Sequence, residues 1–410
     1  MANPRYAETT ALFARAQRVI PGGIYGHQSP RALVPGAYPY FFTRAVGARV
    51  WDVDDNEYLD LMCSYGPIVL GHRHPRVEEA ARSQAAAGDC FNGPGRAWVE
   101  LAERLVNLTP WADWTIFAKN GSDVCTWATL VARVTTGRQK ILAATGAYHG
   151  AHPWCTPFPD GTTPEDTAHV VRFAWNDLAS VDACLAAHHG DVAGIIVTPF
   201  RHDAWHDQEL AAPGFFAGLR QRCDQLGAVL ILDDVRAGFR LHLAGSGAAV
   251  GIEPDLACYS KALGNGYAIA ACLGREALRD AAKRVFTTGS FWTSAVSMAA
   301  ALACLDELAA SAAIAHMERI GTALRDGLER QAATHRTPIR YSGPPAIPFL
   351  SFDDDAGSFA RSRTFAAACA AGGVYLHPHH NWFISAALTD ADVARILEVT
   401  DSAFAAVART

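Results

Sequence analysis

Apolar and polar positions follow three different rhythms along this chain, and each predicts a different kind of element. The opening stretch, MANPRYAETTALFARAQRVIPGG, has apolar residues at helical spacing and stops at Pro21, which predicts one amphipathic helix. From Pro39 to Met62 the text alternates, PYFFTRAVGARVWDVDDNEYLDLM, with turn signals at Gly47 and at Asp54-Asp55-Asn56, as in a small antiparallel meander. Between about Pro75 and Gly289, helical patterns alternate with short apolar runs: WTIFA (114–118), KILAA (140–144), AGIIVTPF (193–200), AVLILDD (228–234), LACYS (256–260) and YAIAACLG (267–274). Runs with no polar alternation suit strands covered on both faces, so an α/β region is expected, with a mostly parallel central sheet and helices on both sides. From Ser294 to Arg409, alanine-rich helical stretches are followed by IPFLSF (347–352) and WFISAAL (382–388), predicting a smaller α+β unit. The expected division is 1–62 for the N-terminal helix and meander, 63–290 for the large domain and 291–410 for the small one. No internal repeat interrupts it.

Composition narrows the function classes. A chain of 410 residues can bury a deep site, and 50% hydrophobic with 19% charged residues is a globular balance. The net charge of -6 carries no long like-charge run, which argues against a nucleic-acid partner and points to small molecules. No window reaches the ~18 uninterrupted apolar residues of a membrane span. The first residues lack the apolar core of a signal peptide. Ten cysteines at irregular spacings, with no C-x-x-C pair, suggest separate reduced thiols and a cytoplasmic location. The histidines, among them His72/His74, His202/His206 and His377/His379/His380, fit no metal template, so no metal is expected.

Charge type is more informative than charge balance. Only Lys119, Lys140, Lys261 and Lys283 are lysines among 35 cationic residues. Lys261 lies in CYSKALGNGYAIA, without an acidic neighbour. An ammonium can lose its proton in an apolar pocket and attack a carbonyl, which a guanidinium cannot. Three further features precede it. FAKNGSDVCTW runs from a strand through Gly121 and Ser122 into a helix, where free N–H groups can meet an anion. ATGAYHGAH sets Tyr148 and His149 just beyond a strand, where a flat side chain can stack on a ring. AVLILDDVRAGFR ends a strand in Asp233 and Asp234, whose side chains point to opposite faces if the strand continues. Taken singly, each has an ordinary reading: a surface lysine, an N-cap, a packing aromatic, a helix cap. Taken in chain order, they supply what pyridoxal 5'-phosphate needs: a phosphate cradle, a ring stack, a partner for a protonated ring nitrogen and an amine for the aldehyde.

Longer motifs bear on the same point: PGG (21–23), VWDVDDNEYLDL (50–61), SYGPIVLGHRHP (64–75), TGRQKIL (136–142), YHG (148–150), LILDDVRAGFR (230–240), PDLACYSKALGNG (254–266) and GVYLHP (373–378). With them the chain resembles the class III, fold-type I pyridoxal-phosphate aminotransferases, and within these it is similar to the glutamate-1-semialdehyde 2,1-aminomutases. The resemblance implies that Lys261 carries the Schiff base and shuttles the proton, Asp233 pairs with the ring nitrogen, Tyr148 stacks on the ring, and Gly121 and Ser122 bind phosphate, with His149 beside them. It further implies a homodimer in which Ser290 reaches the phosphate of the neighbouring subunit. A polar residue near the cofactor's phenolic oxygen aligns with His202 or Asp203, of which Asp203 is the assigned cofactor contact. Arg31, Tyr65 and His380 are the implied substrate residues.

Three departures stand out: Asp-Asp-Val where the family has Asp-Glu-Val, Thr198-Pro199 where it has Glu-Pro, and no arginine between 364 and 393. The last argues against a typical dicarboxylate substrate pair. The implied activity is transfer of an amino group from an amino donor to a keto or aldehyde acceptor. An intramolecular amino shift, a racemisation or epimerisation, and a non-catalytic cofactor-binding subunit remain open on the same scaffold.

Overall fold

A computed structural model describes residues 3–26, 33–34, 36–158, 160–203, 206–353, 355 and 358–409. The chain forms two compact units, one from 75–203 and 208–314, the other mainly from 1–74 and 315–410. These divisions fall after His74 and near Ala315, whereas the sequence pattern predicts them at 62 and 290. The reason is packing: the helix Ala295–Ala310 lies on Pro75–Ala87 and Arg96–Leu108, tied by an Arg104–Asp306 ion pair of 3.1 Å, and so belongs with the large unit.

The large unit is built on seven strands: β1 (Trp114–Ala118), β2 (Lys140–Ala144), β3 (Val170–Phe173), β4 (Val192–Val197), β5 (Val229–Asp233), β6 (Leu256–Tyr259) and β7 (Ala270–Gly274). Their order in the sheet is β1-β7-β6-β5-β4-β2-β3. Only β7 runs antiparallel to its neighbours, as in a doubly wound α/β fold with one reversed strand. Every residue of β4, β5, β6 and β7 is buried, which is why these runs lack polar alternation. Helix α1 (Gly121–Thr136) covers β4 to β7, burying Val124, Ala128, Val131 and Ala132 against Ile196, Ile231 and Cys258.

Some limits of the runs move for local reasons. The run 193–200 breaks into β4 and a short piece Phe200–Arg201, because Pro199 has no N–H for the ladder. The run 267–274 starts only at Ala270, since Asn265 is left-handed with φ 44° and turns the chain first. β3 shows no such run, its residues ranging from exposed Arg172 to buried Phe173 at the sheet edge.

In the other unit, Phe42–Val46, Arg49–Asp52 and Glu57–Asp60 form the expected meander, and Val374–Tyr375 adds in parallel to its last strand. That pairing of distant residues is what makes N- and C-terminal segments one unit. WFISAAL forms no strand. Its amides bond alternately outward, Trp382 to Pro348, Phe383 to Leu61, Ile384 to Ala346 and Ala386 to Val69, so no single ladder develops. The opening helix is shorter than expected, Ala7–Ala16.

Candidate active site

A parallel strand delivers its following loop to the carboxyl edge of the sheet, and that rule gathers the candidates. Gly121 and Ser122 follow β1, Tyr148 and His149 follow β2, His202 and Asp203 follow β4, Asp233 ends β5 and Lys261 follows β6. Five separate loops thus meet at one edge of the large unit.

The lysine sits on a 3-10 turn, Lys261–Gly264, with its own backbone left-handed at φ 48°. Such a conformation costs a branched-free residue on the order of 1–3 kcal/mol and persists where neighbours over-determine it. Here Ser260 Oγ donates to Ile269 O at 2.8 Å and Cys304 Sγ to Ala262 O at 3.3 Å, fixing the turn from both sides. Burial, and then the Arg236 guanidinium, push the Lys261 amine down to about 7, against a smaller opposing pull from Asp233. Near neutrality a large share of this amine is therefore unprotonated and nucleophilic.

Asp233 and Asp234 separate as strand geometry demands. Asp234 turns away from the site, taking the Ser246 amide at 2.6 Å and the Ser246 hydroxyl at 2.5 Å, and burial pushes it up to about 7. Asp233 is 5% exposed, accepts His149 Nδ1 at 2.7 Å on Oδ2 and the Val235 amide at 3.2 Å on Oδ1. His149 is buried too, and its Nε2 has no hydrogen-bond partner among the described residues.

At the start of α1 the Asn120 amide donates to Asp123 Oδ2 at 2.9 Å, while the amides of Gly121 and Ser122 have no intrahelical acceptor by position. A Cβ on Gly121 would meet Val235 Cγ1 at 2.6 Å, so only glycine lets the helix start approach the Asp233 strand this closely. Gly150, at φ +129°, lies against Ser122 in the same way, with a Cβ placed 2.4 Å from its Oγ. Tyr148 is half-buried, and burial raises its phenol while Arg236 opposes that.

Asp203 is buried, but Arg201 Nε holds it at 2.6 Å and it packs beneath Gly146, whose Cβ would fall 2.5 Å from Oδ2. Its neighbour His202 is also buried and keeps Nδ1 without a partner among the described residues. Burial, with Arg236, holds its pKa well below the ordinary value, so the ring is neutral. Of the two alternatives for the phenolic-oxygen contact, His202 keeps a buried ring nitrogen without a partner among the described residues, while Asp203 has its Oδ2 engaged by Arg201. Arg236 itself, 8% exposed, is the feature that motif reading passed over, its one signal being a cation two residues beyond the paired aspartates.

The remaining candidates lie elsewhere. Ser290 is exposed, in a stretch with Phe286 at 88% and Phe291 at 60% exposure. Arg31 falls outside the described residues. Tyr65 and His380 belong to the other unit, where their rings meet edge to face at 5.1 Å and 86°, with His377 6.1 Å from Tyr65. Three consecutive left-handed residues, Cys63, Ser64 and Tyr65, present that phenol. Asp60 clamps the turn, accepting the Met62 and Cys63 amides at 2.7 and 3.1 Å on one oxygen and facing His72 Nε2 at 2.8 Å with the other. No metal-binding group of side chains occurs among the described residues.

Pyridoxal phosphate fits the large-unit set: an amine poised near neutrality, a buried carboxylate whose oxygens have further lone pairs to offer a protonated ring nitrogen, and a helix start opened by glycines. Comparison with known proteins agrees. The aminotransferase class-III family profile matches residues 34–401. An aminopentol aminotransferase of Sphingopyxis macrogoltabida is 48% identical over 97% of this chain and 94% of its own length. A glutamate-1-semialdehyde 2,1-aminomutase of Chloroflexus aurantiacus is 32% identical over 98% of this chain and 97% of its own. The solved PLP internal aldimine form of the FumI protein of Sphingopyxis sp. MTA144 superposes with TM-score 0.96 at 48% identity, covering 98% of this chain and 96% of that one. The chain belongs to the class-III aminotransferases, pyridoxal-phosphate enzymes that move an amino group between small-molecule donors and acceptors.

Proposed function

We propose that this enzyme takes its amino group from a hydroxylated amine carrying no carboxylate, with Lys261 as covalent anchor and proton carrier and Asp233 as the ring-nitrogen partner. The observation that carries the site is the Lys261 amine, brought down to about 7 at the same sheet edge as a buried carboxylate. When bound, the cofactor supplies an aldehyde to capture the donor's nitrogen and a cationic ring to accept electrons. Lys261, being able to exist in both protonation states near neutrality, can yield its place to an incoming amine and then take the proton from the donor carbon and return it to the acceptor. Asp233, held by His149 and the Val235 amide, keeps a proton on the ring nitrogen. Gly121 and Ser122 offer backbone N–H groups to the phosphate, Tyr148 stacks on the ring, and His202, in preference to Asp203, supplies the polar contact to the phenolic oxygen.

Two observations support the donor class. The relative at 48% identity is named for an aminopentol, an amine bearing hydroxyls. The segment 364–393 holds no arginine for a carboxylate, and one of its histidines is held neutral: burial and the neighbouring Arg363 bring His379 down to about 4. A neutral ring with hydrogen-bonding atoms suits hydroxyls better than an anion. Aminomutation is the less supported reading, its relatives standing at lower identity.

We place two copies in the working enzyme, with the exposed 286–291 stretch and Ser290 in the contact, since large apolar side chains this exposed are unusual on a free surface. Ten free thiols, eight of them buried, suit the reducing cytoplasm. A donor panel with a keto acid acceptor tests the function: a hydroxylated alkylamine is expected to exceed glutamate in kcat/KM by about 10²-fold, the discrimination polar contacts can supply. Preference for glutamate would overturn the donor class. Borohydride reduction followed by peptide mass spectrometry tests the site, and an adduct anywhere but Lys261 would overturn it.

A further inference from the structure

Two side chains of the loop bearing Tyr148 and His149 meet one hydroxyl of α1. Thr126 Oγ1 lies 2.8 Å from Trp154 Nε1 and 2.7 Å from His152 Nδ1. An indole nitrogen can only donate, so Trp154 donates to the threonine oxygen, and the same hydroxyl pairs with His152 Nδ1. The other ring nitrogen of His152, Nε2, faces Asp123 Oδ1 at 3.8 Å. Asp123 in turn accepts the Asn120 amide at the helix start.

In the other direction, the Trp154 ring lies nearly parallel to His149, with centroids 6.3 Å apart and planes 11° apart. His149 reaches Asp233 Oδ2 at 2.7 Å. A second tie runs alongside, from the Ala151 amide to Ser122 Oγ at 3.0 Å. The Cys155 and Thr156 amides both return to His152 O, at 3.0 and 2.9 Å, so the loop is also closed on itself. One contiguous set of contacts therefore joins the helix start that offers N–H groups to an anion with the carboxylate assigned to the ring nitrogen. Both ends lie within the large unit.

We infer that Thr126 is a positioning residue, locking the 148–155 loop onto α1 through Trp154 and His152 so that the helix start and Asp233 keep one fixed spacing for the cofactor. The inference rests on the site assignment above, and it explains a polar hydroxyl on a helix whose neighbouring residues Val124, Cys125, Trp127 and Ala128 are all buried. Removing the hydroxyl leaves Trp154 Nε1 and His152 Nδ1 without their common partner, frees the indole plate under His149, and loosens the carboxylate that His149 holds.

The test uses the holoenzyme with Thr126→Val, Thr126→Ser and Trp154→Phe, reading the pyridoxal-phosphate Kd by equilibrium dialysis and the visible circular dichroism per bound cofactor. Thr126→Val is expected to raise Kd about tenfold, the equivalent of the one or two hydrogen bonds lost, and to lower the visible dichroism. Thr126→Ser keeps both donors and acceptors and is expected to stay near wild type. Trp154→Phe keeps a ring but loses the N–H, and is expected to fall with the valine variant; it carries the test should Thr126→Val not fold. The inference is overturned if the hydroxyl-free or indole-free chain retains wild-type Kd and dichroism, or if serine fails to rescue. Failure of the site assignment itself looks different, because wild-type protein would then show no adduct at Lys261.

Discussion

Replacing Arg236 by methionine isolates the electrostatics of the catalytic amine. Burial is the largest influence bringing Lys261 to about 7, and Arg236 is the largest charge, with Arg240 adding in the same direction and Asp233 opposing. At an effective dielectric of about 20, one full charge at the usual separation of pocket neighbours is worth roughly 1–2 kcal/mol, or about one pKa unit. Arg236→Met is therefore expected to move the amine from about 7 to about 8. At neutral pH the unprotonated fraction then drops from about one half to about one tenth, so covalent uptake of pyridoxal phosphate by the apoprotein slows about fivefold. The two proteins should converge in alkali, where both amines are free. Stopped-flow absorbance of cofactor uptake against pH gives both midpoints directly.

The linkage sign provides a second check. The amine's folded pKa lies below its unfolded 10.5, so the folded apoprotein binds fewer protons between about 7 and 10.5. The cost of burying the amine is fully present below that window and is relieved as pH rises through it. Stability of the apoprotein from this group thus climbs with pH, and in Arg236→Met the climb begins about one unit later. An uptake midpoint that stays put or moves to lower pH would show that Arg236 does not act on this lysine.

Three further outcomes are expected. Gly150→Ala forces a side chain onto a backbone at φ +129° and to within 2.4 Å of Ser122 Oγ, and should weaken cofactor affinity by about ten- to a hundredfold, read by dialysis; unchanged affinity would remove the glycine from the cradle. Asp233→Asn keeps the shape but not the charge facing the ring nitrogen, and should slow proton removal by about 10²-fold or more with the cofactor still bound, read in single-turnover absorbance. Phe291→Asp, at a position 60% exposed in the chain alone, should shift the species seen by light scattering from two copies toward one, whereas an unshifted dimer would place the contact elsewhere.

The strands and the chemistry were legible for one shared reason. A strand buried on both faces has to be written as a plain apolar run, so β4, β5, β6 and β7 showed themselves, as did the mostly apolar β1 and β2, while the edge strand β3, with Arg172 exposed, did not. Lys261, Asp233 and Gly121 stood out because each is a costly choice at the end of such a run: a lone amine, a buried carboxylate, a glycine opening a helix. Pairings between distant residues are written nowhere in a local pattern. Val374 beside Leu59 made one unit from the two ends of the chain, and alternating outward bonds denied WFISAAL its ladder.

The same division runs through the site. Sequence by itself determined which residue types could perform the chemistry, because amine, carboxylate and glycine are properties of single positions. Tertiary structure alone decided which of Asp233 and Asp234 faces inward, that Arg201 engages Asp203 Oδ2 while His202 Nδ1 keeps no partner among the described residues, and that Arg236 sits close enough to lower the lysine. Each of these depends on distance and burial, and both arise only when strands far apart in the chain are laid side by side.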